Sequence, residues 1–161
     1  MDVLWSPWRY KYVSSASPGD SCIFCMKAAE NKDRENHILY RGQYNFVLLN
    51  AFPYTSGHLM VVTFRHIATL EAATAEEADE MFRLVRLAEK HLRAAYHAPG
   101  FNIGMNIGAV AGAGVAGHIH AHVLPRWAGD VNFMTTVGET RVLPESLEAT
   151  YDKLVAEFQH G

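Results

Sequence analysis

Gly117-His118-Ile119-His120-Ala121-His122-Val123-Leu124-Pro125-Arg126-Trp127 sets three histidines on alternate positions. A β-strand projects residues i, i+2 and i+4 onto one face, so the imidazoles form a row while Ile119, Ala121 and Val123 pack behind them. One face serves chemistry and the other serves the core. At roughly 3.3 Å per residue the first and third positions stand about 13 Å apart, too far for both rings to bind one zinc without bending the strand. At most two neighbours share a metal, which leaves at least one imidazole for nucleophilic, acid/base or phosphate-binding work near neutral pH. A lone histidine is as readily a satisfied structural residue; three in strict alternation behind a glycine-rich loop are not.

That loop lies directly upstream. Phe101, Ile103, Met105 and Ile107 alternate as a strand does, and the chain then dissolves into Gly108-Ala109-Val110-Ala111-Gly112-Ala113-Gly114-Val115-Ala116-Gly117. Glycines of this kind let backbone N–H groups approach an anion with no side chain in the way, so a phosphate fits beside the histidine row.

His118-Ile119-His120-Ala121-His122-Val123-Leu124 resembles the histidine-triad (HIT) motif, His-φ-His-φ-His-φ-φ with φ apolar. Asn50 through His58, leading into Leu59-Met60-Val61-Val62, is similar to the family's ribose-binding strand and its Pro-x-x-x-Gly-His-type turn. Trp5-Ser6-Pro7-Trp8-Arg9 and Pro125-Arg126-Trp127 resemble the bacterial diadenosine-tetraphosphate phosphorylase branch. The resemblance implies that His120 attacks the α-phosphorus of a nucleotide and carries it as a nucleotidyl-imidazole. It implies that the other ring nitrogen donates to the backbone carbonyl of His118, that His122 contacts phosphate and assists the leaving group, and that His58 joins the same cluster. Asn50 stands where relatives bind the ribose. Nucleotide binding is further assigned to Asn106, to backbone amides around Gly112, Gly114 and Gly117, and to Trp127 as a stacking platform for a base, a role that competes with ordinary packing.

Only two cysteines occur, in Cys22-Ile23-Phe24-Cys25, so a four-cysteine zinc site is impossible and a metal there needs two further ligands. A reduced, metal-free pair and a redox Cys-x-x-Cys are the alternatives, the latter without the strand before and helix after that thioredoxin-like pairs carry. HIT proteins and related uridylyltransferases with such a pair bind zinc through it, a histidine after the central strand and the first triad histidine. The resemblance therefore implies a structural zinc on Cys22, Cys25, His66 and His118.

The 161 residues, 49% hydrophobic and 19% charged with a net charge of −3, suit one compact domain over residues 1–161 and carry no signature of binding polymeric nucleic acid. No apolar run near 18 residues and no leader pattern is visible, so no membrane partner is expected, and the cysteine usage suits a reducing cytoplasm. Residues 1–20 read as an extended arm and Lys27 to about Lys32 as a short helix. His37 to Arg41 and Asn45 to Leu49 read as a hairpin around Gly42, and His58 to Thr63 as a further strand. Thr74-Ala75-Glu76-Glu77 is a capping box, followed by an apolar stripe of Ala78, Met81, Phe82, Val85, Ala88 and Leu92 that runs until Pro99-Gly100. Its charges, including Glu80, Arg83, Arg86, Glu89 and Lys90, read as a solvated face, and His91 and His97 receive no function. A second helix over 144–160 carries Leu147, Tyr151, Leu154 and Phe158 on one stripe. The fold class is α+β, a HIT-like antiparallel sheet of about five strands with one long and one C-terminal helix. The resemblance implies a homodimer.

On function, the same branch implies cleavage of a dinucleoside polyphosphate or related purine nucleotide, with inorganic phosphate the favoured acceptor and ADP plus ATP the products from diadenosine tetraphosphate. The presence of His122, which uridylyltransferases and eukaryotic phosphorylases replace by Gln, leans the other way, toward water as acceptor on dinucleoside polyphosphates or nucleoside phosphoramidates. Gly112-Ala113-Gly114 stands where hydrolase relatives carry Gly-Gln-Ser/Thr, which removes side-chain contacts to phosphate. Two other classes are a nucleotide-binding interaction module with little turnover and a zinc-dependent structural or redox protein.

Overall fold

The structure, a computed structural model, describes residues 22–131, 135 and 142–160. The arm expected over residues 1–20, with Trp5 and Trp8, lies outside them. In chain order the elements are α1 (Ile23–Ala29), β1 (Ile38–Arg41), β2 (Asn45–Leu49), β3 (Leu59–Thr63), α2 (Ala75–Tyr96), β4 (Gly100–Met105), a short 3-10 turn (Ala109–Ala111), β5 (His120–Arg126) and α3 (Leu147–His160). The strands form one sheet in the order β1-β2-β3-β5-β4, every pair antiparallel. This is the expected α+β architecture of five strands with a long and a C-terminal helix.

Strand alternation divides the core into two layers. Val47, Leu49, Leu59, Val61, Ile119, Ala121 and Val123 face α2 and α3, where Leu84, Ala88, Leu92, Leu154 and Phe158 complete the main cluster. Phe46, Leu48, Met60 and Val62 point the other way and are covered by Phe24 of α1 and by Val115. Every residue of β2 and β3 is buried, because both faces of the sheet centre are covered. Opposite residues share a face, so the pairing of Val62 with His120 and Met60 with His122 puts these histidines on the α1 side.

Several boundaries and faces differ from expectation for physical reasons. The first helix begins at Ile23 rather than Lys27 and ends at Ala29, because docking Phe24 against the sheet and Arg41 across its C-terminal end outweighs its lack of a side-chain cap. Arg41 donates to the carbonyls of Ala28 at 2.7 Å and Glu30 at 2.9 Å and pairs with Asp33 at 2.8 Å. His37 adopts a left-handed conformation (φ 55°), so β1 starts one residue later. Strand β5 starts at His120, leaving His118 just ahead of the paired segment. α3 starts at Leu147 rather than 144, after Ser146, whose hydroxyl accepts from the Ala149 amide.

The capping box of α2 forms as expected, Thr74 and Glu77 each accepting from the other's backbone N–H. Glu77 also takes a two-point contact from Arg65 at 2.7 and 2.8 Å. Met81, Val85, Ala88 and Leu92 of the expected apolar stripe are buried, whereas Phe82 is 57% exposed and Leu84 takes its place inside. Glu80 is not on the solvated face. It is 8% exposed and accepts the backbone N–H groups of Gln43, Tyr44 and Asn45 and the Asn45 amide at 2.7 to 3.0 Å, tying the β1–β2 turn to the helix. His91 is buried at the α2–α3 contact, its ring 4.6 Å from that of Phe158. Among the described residues no helix is long and apolar enough to cross a membrane.

Burial acts to raise the Glu80 pKa, but the four donors outweigh it and hold the carboxyl below its ordinary value of 4.5. A depressed folded value stabilises the fold above the unfolded value, and that contribution is lost as pH falls through the folded one. Glu80→Gln should therefore lower stability at neutral pH by about 2 kcal/mol and flatten the loss of stability below about pH 4.5, as read by thermal melts across pH. Equal melting of variant and parent at pH 7 would show the turn to be held by other contacts.

Candidate active site and metal centre

The three triad histidines have their rings fixed by three different partners. A backbone carbonyl can only accept, so each ring nitrogen facing one must carry a proton. His120 Nδ1 lies 2.8 Å from the His118 carbonyl and donates to it, which leaves Nε2 of the neutral ring with its lone pair. His118 Nε2 donates to the Thr63 carbonyl at 2.7 Å, turning the Nδ1 lone pair toward Cys22 Sγ at 3.3 Å and Cys25 Sγ at 3.6 Å. His58 Nδ1 accepts the Tyr54 amide at 3.1 Å, so the proton of its neutral ring sits on Nε2 and goes to His122 Nδ1 at 2.9 Å. His122 then carries its own proton on Nε2. Burial pushes the pKa of His120 down from its ordinary value against the His118 carbonyl, which raises it, and burial does the same to His118. Both effects favour neutral rings.

His120 and His122, with ring centres 4.9 Å apart, open on a cavity of about 330 Å³. Asn50, Asn106, Gly112 and Gly114 line the same cavity. Asn50 Oδ1 accepts the Phe52 amide at 2.9 Å, and its Nδ2 stands 3.5 Å from His58 Nε2. Gly112 (φ 90°) ends the 3-10 turn in a conformation that L side chains rarely adopt, and its N–H is bonded to Ala109 at 3.0 Å. Of the three glycines expected to present amides to phosphate, Gly114 is the one that lines the cavity beyond that turn. Gly117 is absent from the lining and packs beside His66, whose Nε2 is 3.5 Å from where a Cβ would stand.

Trp127 does not line this cavity. Its indole N–H donates to the Tyr96 carbonyl at 3.3 Å, and it borders a neighbouring cavity that, among the described residues, shares only Tyr54 with the first. β5 ends at Arg126, so Trp127 lies beyond the strand that carries the histidines. Sequence reasoning also passed over Ile23, Phe24 and Lys27, all of which line the site. Phe24 packs 5.1 Å from the His120 ring and 5.5 Å from that of His118. The signal was the apolar pair enclosed by the two cysteines, which places α1 on the sheet. Tyr54 was likewise missed; its ring stands 4.7 Å from His58. Gly57 (φ 77°) makes the turn into His58, and a Cβ there would meet Leu92 at 3.0 Å and Pro125 and Tyr96 at 3.2 Å.

Cys22, Cys25, His66 and His118 bring one ligand atom each to within 4.8 Å of the others. His66 Nδ1 stands 3.3 Å from Cys25 Sγ. Donor atoms around a tetrahedral zinc, held at about 2.0 to 2.3 Å from the metal, stand roughly 3.3 to 3.8 Å apart, a range that holds the distances from His118 Nδ1 to both sulfurs and from His66 Nδ1 to Cys25. Thr63 fixes the His118 tautomer that ligation requires. The Ile119 amide, bonded to the Ile67 carbonyl at 2.7 Å, brings the His66 loop to the triad. The row is thus divided as its length demands, His118 turning to the cysteines and His122 to His58.

Residues 31–129 match the family described as HIT domain. The chain is 36% identical over 165 residues to the AP-4-A phosphorylase of Mycobacterium tuberculosis, covering 96% of this chain and 83% of that one. It is 29% identical over 91 residues to the bis(5'-adenosyl)-triphosphatase of Saccharomyces cerevisiae, covering 56% and 44%. A crystal structure of a Zn-bound histidine triad family protein from Mycobacterium smegmatis superposes with a TM-score of 0.71 at 28% identity, over 87% of this chain and 94% of that one. The matched span holds the alternating histidines, the glycine loop and the strand that delivers His58, and on these grounds the chain belongs to the HIT domain family.

Proposed function

We propose that this chain is an enzyme that cleaves dinucleoside polyphosphates at the α-phosphate through a nucleotide carried on His120, with inorganic phosphate as acceptor. The observation that carries it is the His120 ring, held by the 2.8 Å bond to the His118 carbonyl with its Nε2 lone pair beside a cavity of nucleotide size. In the first step Nε2 bonds to the α-phosphorus and the bond from that phosphorus to the bridging oxygen breaks. His122, its proton set on Nε2 by His58, keeps that proton and hydrogen-bonds the oxygen of the departing polyphosphate, which leaves as an anion. In the second step an oxygen of inorganic phosphate attacks the same phosphorus and His120 leaves with its lone pair restored. Diadenosine tetraphosphate would give ATP first and ADP second. Asn50 and Asn106 are assigned to the ribose and neighbouring polar groups, and the Gly114 amide to phosphate oxygens. The long match to a relative named AP-4-A phosphorylase supports phosphate over water as acceptor.

Incubation with diadenosine tetraphosphate should yield ATP and ADP only when phosphate is supplied; AMP and ATP without phosphate would make the chain a hydrolase instead. Quenching during turnover in alkaline denaturant, in which a phosphorus–nitrogen bond survives, should recover chain labelled from an α-³²P substrate, and acid should release the label. His120→Ala should lose turnover by at least about 10³-fold while still binding nucleotide, and retained turnover would remove His120 from the nucleophile's role.

The four donors Cys22, Cys25, His66 and His118 would hold zinc in a closed, structural site, which would supply no open position to substrate. Purified protein should contain about one zinc per chain by elemental analysis. Cys25→Ser should lower both zinc retention and the melting temperature, and a metal-poor variant melting with the parent would deny the ion a structural role.

Ile103 of the edge strand β4 and Ile107 just beyond it are exposed and apolar, which supports a homodimer across this edge. Light scattering should give the mass of two chains, and Ile103→Glu should shift it toward one. A single-chain mass for the parent would reject the dimer.

A further inference from the structure

Helix α1 and the residue before it serve both sites. Cys22 and Cys25 belong to the metal-binding set, while Ile23 and Phe24 between them wall the histidine cavity. Seven residues are too few for a helix to persist alone in water, so α1 depends on what fixes its ends and its buried face. At the C-terminal end Arg41 donates to the carbonyls of Ala28 and Glu30. At the other end Cys22 makes no side-chain capping bond, and its sulfur faces His118 Nδ1 instead. The buried face is Phe24, 4% exposed, whose ring packs on those of His120 and His118.

A second link runs through the main chain. His118 turns Nδ1 to both sulfurs, while its carbonyl accepts the proton of His120 Nδ1. An ion on the four donors would therefore anchor the N-terminal end of α1 and also fix the residue whose carbonyl orients His120. His66 is exposed and Cys25 half-buried, which gives such an ion a way in and out from the surface. With the ion absent, a nucleotide entering the cavity must itself order the wall it binds to. With the ion in place, that ordering is already done, and the entropy it costs no longer opposes binding.

We propose that the two sites are coupled: zinc on Cys22, Cys25, His66 and His118 raises the affinity of the cavity for nucleotide, nucleotide raises the affinity for zinc, and Phe24 carries the linkage between them. Equilibrium linkage makes the two factors equal, and a factor of about ten is expected of sites that share one ordered element. The supply of zinc then regulates how much nucleotide the chain holds. The proposal rests on the readings that the cavity holds a nucleotide and that the four donors hold zinc.

The test has two arms, both on the full chain. In the first, metal is stripped by chelation and AMP binding is measured by calorimetry before and after one equivalent of zinc is restored; zinc should tighten AMP about tenfold. In the second, the zinc-loaded chain is titrated with a chromophoric chelator with and without saturating AMP, which should tighten zinc retention by the same factor. The second arm starts from the loaded chain, so it stands whether or not the stripped chain keeps its fold. Phe24→Leu keeps every zinc donor; without AMP it should retain zinc as the parent does, and AMP should no longer tighten that retention. A factor of one in either parental arm would overturn the coupling and leave both sites standing, and a parental factor in Phe24→Leu would overturn its route through that ring. A loaded chain that binds no AMP would overturn the nucleotide reading, a parent that holds no zinc would overturn the metal reading, and the proposal would fall with either.

Discussion

The site depends on backbone carbonyls that decide which nitrogen of each imidazole is bare. The His118 carbonyl takes a proton from His120, and the Thr63 carbonyl takes one from His118. Both acceptors belong to the main chain beside the sheet, so strand pairing sets the ring chemistry. A neutral imidazole in water exchanges tautomers freely. Here one arrangement is enforced on His120 and another on His118, although the two residues are separated only by Ile119. The same strand therefore offers a bare Nε2 to the cavity and a bare Nδ1 to the cysteines.

His118 is the point where the two sites meet. Its side chain faces Cys22 and Cys25, while its carbonyl orients His120. Helix α1 is shared in the same way, since the segment from Cys22 to Lys27 supplies two thiols and three residues of the cavity wall. Arg41 fastens the far end of that helix to β1. On the proposed reading, the metal-binding set and the nucleotide wall are opposite sides of a single seven-residue helix.

Much of the fold was legible because alternation and capping are local. β2 coincides with the expected Asn45 to Leu49, and the Thr74–Glu77 box opens α2 where its residues announce it. The histidine row was legible for the same reason, and the rise of a strand showed that its two ends could not share one metal, whereas the turning of His118 toward the cysteines was implied by the family resemblance and not by the spacing. What escaped depends on partners distant in sequence. Glu80 reads as a surface charge until the β1–β2 turn is seen to present four donors to it. Lys27 reads as a polar helix residue until Phe24 docks on the sheet. Trp127 reads as a base platform, in competition with ordinary packing, because an indole face stacks on a purine, yet it lies beyond the end of β5 and borders another cavity. Gly112 reads as a phosphate ligand, but closing its own turn engages its amide.

Glu80 also bears on how the fold opens. The amides of Gln43, Tyr44 and Asn45 lie outside the sheet ladder at their acceptor, since their partner is a helix carboxylate. Fraying of the hairpin alone would strand that carboxylate without its donors, and lifting of α2 alone would strand the donors. The two elements thus come apart together, as one cooperative unit, and the three turn amides exchange their hydrogens with solvent at the pace of the long helix rather than at that of a surface loop.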